Sequence, residues 1–193
     1  MAWLVAGLGN PGALYANTRH NAGRLVVDEL ARAHDVRLKK VRFLPSEAAE
    51  YQLDGQRVWL LGSTSFMNES GPAFAGFARK HGIEPEEVIA VHDELEIPPG
   101  ELMLKFGGGT AGHNGLKSLG QALGTQAFLR VRVGIGRPPG RQDPADFVTQ
   151  PLSRGQRKDF EVTVARAGEA VETLITEGLE AAQQRFNRGA VTS

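Results

Sequence analysis

Short apolar runs alternate along this chain with stretches in which apolar residues recur every three or four positions. Residues 3–8 (WLVAGL) form such a run, rich in glycine at its end, and read as a buried strand. From about Asn21 to His34 the pattern is helical, with Leu25, Val26, Leu30 and Ala33 on one stripe. Residues 50–62 (EYQLDGQRVWLLG) predict a hairpin whose turn is Asp54-Gly55. Asn68 stands where an N-cap would stand for a helix that has Glu69 in its first turn and Phe74 and Phe77 inside, and that ends at Gly82. Residues 88–92 (VIAVH) read as a second buried strand and 102–106 (LMLKF) as a half-buried one. A helix over about 116–123 precedes 129–136 (LRVRVGIG), where Leu129, Val131, Val133 and Ile135 alternate with Arg130 and Arg132. Residues 137–147 (RPPGRQDPADF) read as a loop. Beyond it Phe160, Val164, Ala167, Val171, Leu174 and Ile175 recur at helical spacing.

Interleaved strands and helices predict the α/β class: a three-layer sandwich with a twisted mixed sheet flanked by helices. The hairpin excludes a purely parallel sheet. No repeat or linker divides the chain, so residues 1–193 are expected to form a single domain, with a C-terminal helix and tail over about 178–193. A chain of 193 residues buries roughly 70% of its extended surface and needs no disulfide or metal to fold. With no cysteine it has no thiolate nucleophile or thiolate metal site. The start, MAWLVAGLGN, lacks the basic residues and long apolar core of a signal peptide, and no stretch approaches the ~20 apolar residues of a membrane span. A soluble intracellular protein is expected. The 22 basic and 22 acidic residues cancel, which argues against whole-surface attraction to nucleic acid and leaves room for a local basic patch.

The 24 glycines concentrate in GLGNPG (7–12) and GGGTAGHNG (107–115), which marks two unusual loops. Gly7, Gly9 and Gly12 have the G-x-G-x-x-G spacing of a dinucleotide site. That site needs its third glycine in the first turn of a helix, and here the helical pattern starts only near Asn21. No strand ends in an acidic residue at the ribose position either, so the dinucleotide reading fails. In the second loop Leu116, not glycine, precedes Lys117-Ser118, so no phosphate-cradling P-loop is spelled out. A G-x-S-x-G nucleophile elbow is also absent.

Polar side chains nevertheless cluster in glycine-bearing segments just after expected strands: Asn10, His20-Asn21, Asp93 and His113-Asn114. Sites in open α/β sheets gather at the carboxyl ends of strands, so these residues are expected to converge. A histidine bound to a carboxylate is a general base, and without an activated serine or cysteine the nucleophile is water. Asparagine amides can donate to a developing oxyanion and accept from substrate N–H groups. The set suits hydrolysis of an acyl bond in a substrate with peptide-like groups. Each residue taken alone has a plainer role: His20 at a helix start, Asn68 as a cap, Asp93 in a solvated turn, His113 donating to backbone. His34 and His81 compensate helix C-termini, and Phe66 and Met67 read as core. A metal site is disfavoured, since no second histidine has ligand spacing.

Taken together, GLGNPGALYANTRHNAG (7–23), FMNESG (66–71), HDELEIPPG (92–100), GGGTAGHNGLKSL (107–119) and RVRVGIGRPPG (130–140) resemble the signature segments of bacterial peptidyl-tRNA hydrolases, in order and spacing over nearly the whole chain. The resemblance implies a monomeric cytoplasmic enzyme that uses no cofactor or metal, touches no membrane, and takes peptidyl-tRNA as its partner. Its reaction is cleavage of the ester joining a peptide to the 3′ ribose of tRNA. By the same resemblance His20 matches the general base and Asp93 its orienting carboxylate. Asn10, Asn68 and Asn114 match the amides that hold the substrate and help stabilise the intermediate, with His113 in support. Tyr15 and Phe66 fall among the substrate-binding positions. Lys105 and Arg132 match a clamp for a tRNA phosphate, with Met103 standing where some relatives carry a second lysine. The chain departs from the family at Gly62-Ser63-Thr64-Ser65, where Lys-Pro-x-Thr is usual, and carries Glu96 for the more usual Asp. Two other readings stay open on the residues alone: a non-catalytic RNA-binding relative, and a hydrolase of N-acylated small molecules.

Overall fold

A computed structural model describes residues 1–187; the last part of the expected tail, from residue 188, lies outside the described residues. In chain order the elements are β1 (Ala2–Gly7), α1 (Ala22–Ala33), β2 (Lys39–Lys40), β3 (Ser46–Leu53), β4 (Gln56–Ser63), α2 (Gly71–Lys80) and β5 (Val88–Glu94). There follow β6 (Leu102–Phe106), α3 (Asn114–Leu123), β7 (Leu129–Gly134), α4 (Pro144–Thr149), α5 (Arg154–Glu177) and α6 (Leu179–Phe186). The seven strands form one sheet in the order β2-β3-β4-β1-β5-β7-β6. The four strands β4, β1, β5 and β7 are parallel, while β3 and β6 run against their neighbours.

Alternation along the central strands sends side chains to two cores. Val5, Ile89, Val91 and Val131 face α1, α5 and α6, packing on Val26, Leu30, Val171 and Leu174. Leu4, Ala6, Val88 and Ala90 face α2 and α3, packing on Phe74, Phe77, Leu116 and Leu119. The result is the expected three-layer α/β sandwich. Asp54 (φ 48°) and Gly55 (φ 78°) make the tight turn of the β3–β4 hairpin, both central residues being left-handed as a type I′ turn requires.

The glycines of the first loop serve packing. A Cβ on Gly7 would lie 2.6 Å from the Gly23 carbonyl oxygen, and one on Gly23 would lie 1.9 Å from that of Val91. Helix α1 therefore sits directly on the ends of β1 and β5, closer than any side chain permits.

Three expectations are corrected. Asn68 is not an N-cap: Met67–Glu69 is a single 3-10 turn, and α2 begins after Ser70. The segment 137–147 is not wholly loop, because Asp143 accepts the Ala145 N–H at 3.0 Å and Pro144 opens α4. Ala33 is exposed, and Val27 and Ala31 complete the buried stripe of α1 instead. Arg130, which alternates with the apolar residues of β7, is 1% exposed.

Candidate active site

The parallel strands β1 and β5 end side by side, and the residues that follow them build a cleft of about 430 Å³. After β1 the chain crosses to β5 through the Leu8 N–H, which donates to the Val91 carbonyl at 3.1 Å. It is then clamped by the buried Asn21, whose Oδ1 accepts the Asn10 N–H at 2.8 Å and whose Nδ2 donates to the Asn10 carbonyl at 2.9 Å. Asn10 is thus fixed at its backbone. Its own Oδ1 accepts the Met67 N–H at 2.7 Å, which leaves its Nδ2 as a donor on the cleft wall.

Asp93, near the carboxyl end of β5, is buried and binds two histidines. His20 Nδ1 lies 3.1 and 3.0 Å from the two carboxylate oxygens, and His113 Nε2 lies 2.8 Å from Oδ1. His113 is the N-cap of α3, and its Nδ1 accepts the N–H groups of Gly115 (3.0 Å) and Leu116 (3.3 Å). That nitrogen therefore carries no proton, and the Nε2–H donates to Asp93. The same logic makes His20 donate its Nδ1–H to the carboxylate and keep a lone pair on Nε2. Burial alone would raise the Asp93 carboxyl, but His113 and then His20 outweigh it and hold the group well below the usual carboxylate range. For His20 burial works downward, and the Asp93 charge and hydrogen bond overcome it, so its pKa is raised above the ordinary value. A base with an oriented tautomer faces a cleft lined by amides.

Comparison with known proteins decides the family: the family model described as peptidyl-tRNA hydrolase matches residues 4–193. The chain belongs to the peptidyl-tRNA hydrolase family. It is 50% identical to the peptidyl-tRNA hydrolase of Kineococcus radiotolerans, with 98% of each chain covered, and 51% identical to that of Frankia casuarinae, covering 96% and 93%. Among solved structures it is similar to peptidyl-tRNA hydrolase from Acinetobacter baumannii, with a TM-score of 0.89, 33% identity and 96% and 94% coverage.

The fold brings Asn10, Tyr15, His20, Phe66, Asn68, Asp93, His113 and Asn114 to one cleft. Phe66 is not core: it is 53% exposed and meets Tyr15 edge-on at 6.3 Å, while Met67 beside it is buried. His113 accepts from backbone rather than donating to it. The spacing argument against a metal also fails, because His20, Asp93 and His113 place ligand atoms within 4.8 Å of one another. Those atoms are already engaged with each other, and an ion there would displace the protons that join both rings to Asp93.

Lys105 and Arg132 lie apart from this cleft. They line an adjoining cavity of about 270 Å³ with Arg130 and share Glu94, Thr110 and Ala111 with the cleft wall. Burial, then Arg132 and Arg130, lower the Lys105 ammonium pKa. Arg130 is a strut: it donates to the carbonyls of Gly108 (2.9 Å), Gly109 and Gln126 (3.2 Å), and so ties down the glycine loop that carries His113. Gly107, Gly108 and Gly112 in that loop have φ of 68°, 109° and 80°, which gives the run of glycines a backbone reason. Sequence reasoning assigned neither Arg130 nor Asn21 a task. Both act on backbone groups, whose place only the fold reveals.

Proposed function

We propose that the chain hydrolyses the ester between a peptide and the 3′ ribose of tRNA, with His20 activating the attacking water. The observation that carries this is the fixed tautomer of His20, held by Asp93, which is held in turn by His113. His20 Nε2 takes a proton from water as its oxygen bonds the ester carbonyl carbon. Amides of Asn10, Asn68 and Asn114 line the cleft and receive the oxyanion and the peptide backbone. The ester C–O bond then breaks, and the proton on His20 passes to the departing ribose oxygen, giving free tRNA and a peptide carboxylic acid that loses its proton to solvent. Tyr15 and Phe66 form an aromatic wall for the substrate end. Lys105 and Arg132 bind a tRNA phosphate, which adds affinity and salt dependence and leaves the chemistry alone. The reading includes a monomer at work in the cytoplasm without a metal. No helix among the described residues is long and apolar enough to cross a membrane.

The test is release of N-acetyl-amino acid from N-acetyl-aminoacyl-tRNA, with the unblocked aminoacyl-tRNA as control. Selective cleavage of the blocked substrate is expected, and His20→Ala should lower turnover by about 10²–10⁴-fold, the contribution of a positioned base. TRNA binding without cleavage would favour the non-catalytic RNA-binding relative, and cleavage of small N-acyl esters with no need for tRNA would favour the small-molecule hydrolase.

A further inference from the structure

The free edge of the sheet carries a feature that the cleft does not use. Residues 36–46 (VRLKKVRFLPS) contain four cations and no acid, between Asp35 and Glu47. Arg37, Lys39, Lys40 and Arg42 are all exposed, and none is in an ion pair among the described residues. Glu47 is already engaged by Arg24 at 2.8 Å. At the tip Phe43 is 89% exposed, with the Arg42 guanidinium 5.0 Å from its ring centroid.

Phe43 also has φ 68°, a left-handed conformation that costs a bulky residue of order 1 kcal/mol or more. The turn that imposes it is firmly built. The Val41 N–H donates to the Ser46 carbonyl at 2.9 Å, the Ser46 N–H to the Leu44 carbonyl at 2.8 Å, and the Thr64 N–H to the Pro45 carbonyl at 2.8 Å. Leu44 packs so tightly on α2 that a Cβ on Gly76 would lie 2.8 Å from it. Leu44 thus goes in, and Phe43 is held out. A hollow of about 570 Å³ lies against residues 40–45.

The position matters as much as the chemistry. Ser46 pairs with Ser63, and its neighbouring register pairs Gly62 with Gly7, so the loop stands at the carboxyl ends of β4 and β1. With strands about 4.8 Å apart, the base of the loop is roughly 10 Å across the sheet from the segment that carries Asn10. It flanks the cleft on the side away from Lys105 and Arg132.

We infer that the 37–43 loop is a second RNA-binding site, in which Phe43 stacks on an unpaired base while Lys39, Lys40 and Arg42 meet the neighbouring phosphates. A ring backed by a cation and held clear of the fold is a platform for one base, and the free cations supply the backbone attraction. The inference rests on the reading that the substrate is an RNA ester, and it adds a contact outside the cleft. One exposed ring offers little apolar area to a membrane, whereas it matches a single nucleobase.

The test uses the full chain and a fluorescently labelled, single-stranded RNA dodecamer of mixed sequence, titrated at several salt concentrations. Phe43→Ala should weaken binding roughly 5- to 100-fold, the effect of losing one stacked base, while Phe43→Tyr retains it. Replacing Lys40 and Arg42 together by Ala should flatten the log affinity against log salt slope by about 0.7 for each cation removed. Melting temperatures check that each variant is folded, and the charge variant decides alone if Phe43→Ala is not. Affinities and slopes equal to those of the original chain would overturn the site. So would loss of binding to phosphatidylserine vesicles with RNA binding intact, since the loop would then face a membrane. The dodecamer has no ester, so failure to cleave N-acetyl-aminoacyl-tRNA sinks the catalytic reading and leaves this readout standing.

Discussion

Asp93 divides the work between two histidines. His113 spends both ring nitrogens on structure, one on the α3 N–H groups and one on Asp93, so only His20 has a nitrogen free for chemistry. As the proposed base, His20 must be unprotonated to accept from water, and its pKa is raised despite burial because Asp93 lies against it. The rate of hydrolysis, as kcat/KM, should therefore rise with pH through a midpoint above the ordinary 6.5 of histidine. Asp93→Asn removes the charge and leaves burial to act, so that midpoint should fall while turnover drops by at least about 10²-fold. The neutral amide no longer secures the tautomer. A pH–rate profile of both proteins checks this, and an unmoved midpoint would remove Asp93 from the role. These residues were legible because each is a polar group in a glycine-bearing segment after a strand. The tasks of Asn21, picked out with them, and of Arg130 were not, since an amide or guanidinium that binds main-chain groups has no local signature.

At the level of elements the strands were the most legible, because apolar runs bounded by turns have few other uses in a chain this size. What the pattern did not reveal has separate causes. The arginines of β7 alternate as on a half-wet strand, yet β7 lies between β5 and β6 and the glycine loop covers its second face, so Arg130 is enclosed. Helix α4 is six residues long and starts at a proline inside a Pro- and Gly-rich segment, too short for periodicity to register. The purpose of the first glycine motif, the approach of α1 to two strand ends, required the fold. Gly23 is where that approach is closest. Gly23→Ala places a methyl 1.9 Å from the Val91 carbonyl oxygen and 2.5 Å from the Leu8 nitrogen, both backbone atoms that cannot rotate away. Overpacking of this kind costs about 1–3 kcal/mol, sometimes more. The urea midpoint should drop accordingly with the slope unchanged, and a midpoint equal to that of the original chain would refute the tight seating of α1.

At the scale of the molecule, the side chains buried near the carboxyl end of β5 bear on how it answers to acid. His92, between the two cores on β5, is 2% exposed, and its Nδ1 donates to the Asp93 carbonyl at 2.8 Å. Its Nε2 is buried with no protein partner among the described residues. Burial first, and the neighbouring His113 second, push its pKa down to about 3. The unfolded chain, with histidine near 6.5, takes up a proton that the folded chain refuses between those two values. Stability therefore falls as pH falls through that window, by up to about 1.4 kcal/mol per pH unit from this one group. His20 has the opposite sign: its raised pKa stabilises the fold fully below 6.5, and that contribution is lost only as pH rises through the folded value. Asp93, with its depressed pKa, begins to cost stability only below about 3.9, as its unfolded form takes up a proton. In the upper part of the window between pH 6.5 and 4 the slope thus belongs mainly to His92, with a part of the same sign from His81, lowered chiefly by burial. Near its lower end Glu29, lowered by its hydrogen bond to Arg32, adds to it, and Asp28, raised by burial, opposes it. His92→Leu should flatten the dependence of the urea midpoint on pH in that range, whatever it does to stability at neutral pH. A slope as steep as before would mean that the acid sensitivity arises elsewhere and that His92 is not held neutral by the fold.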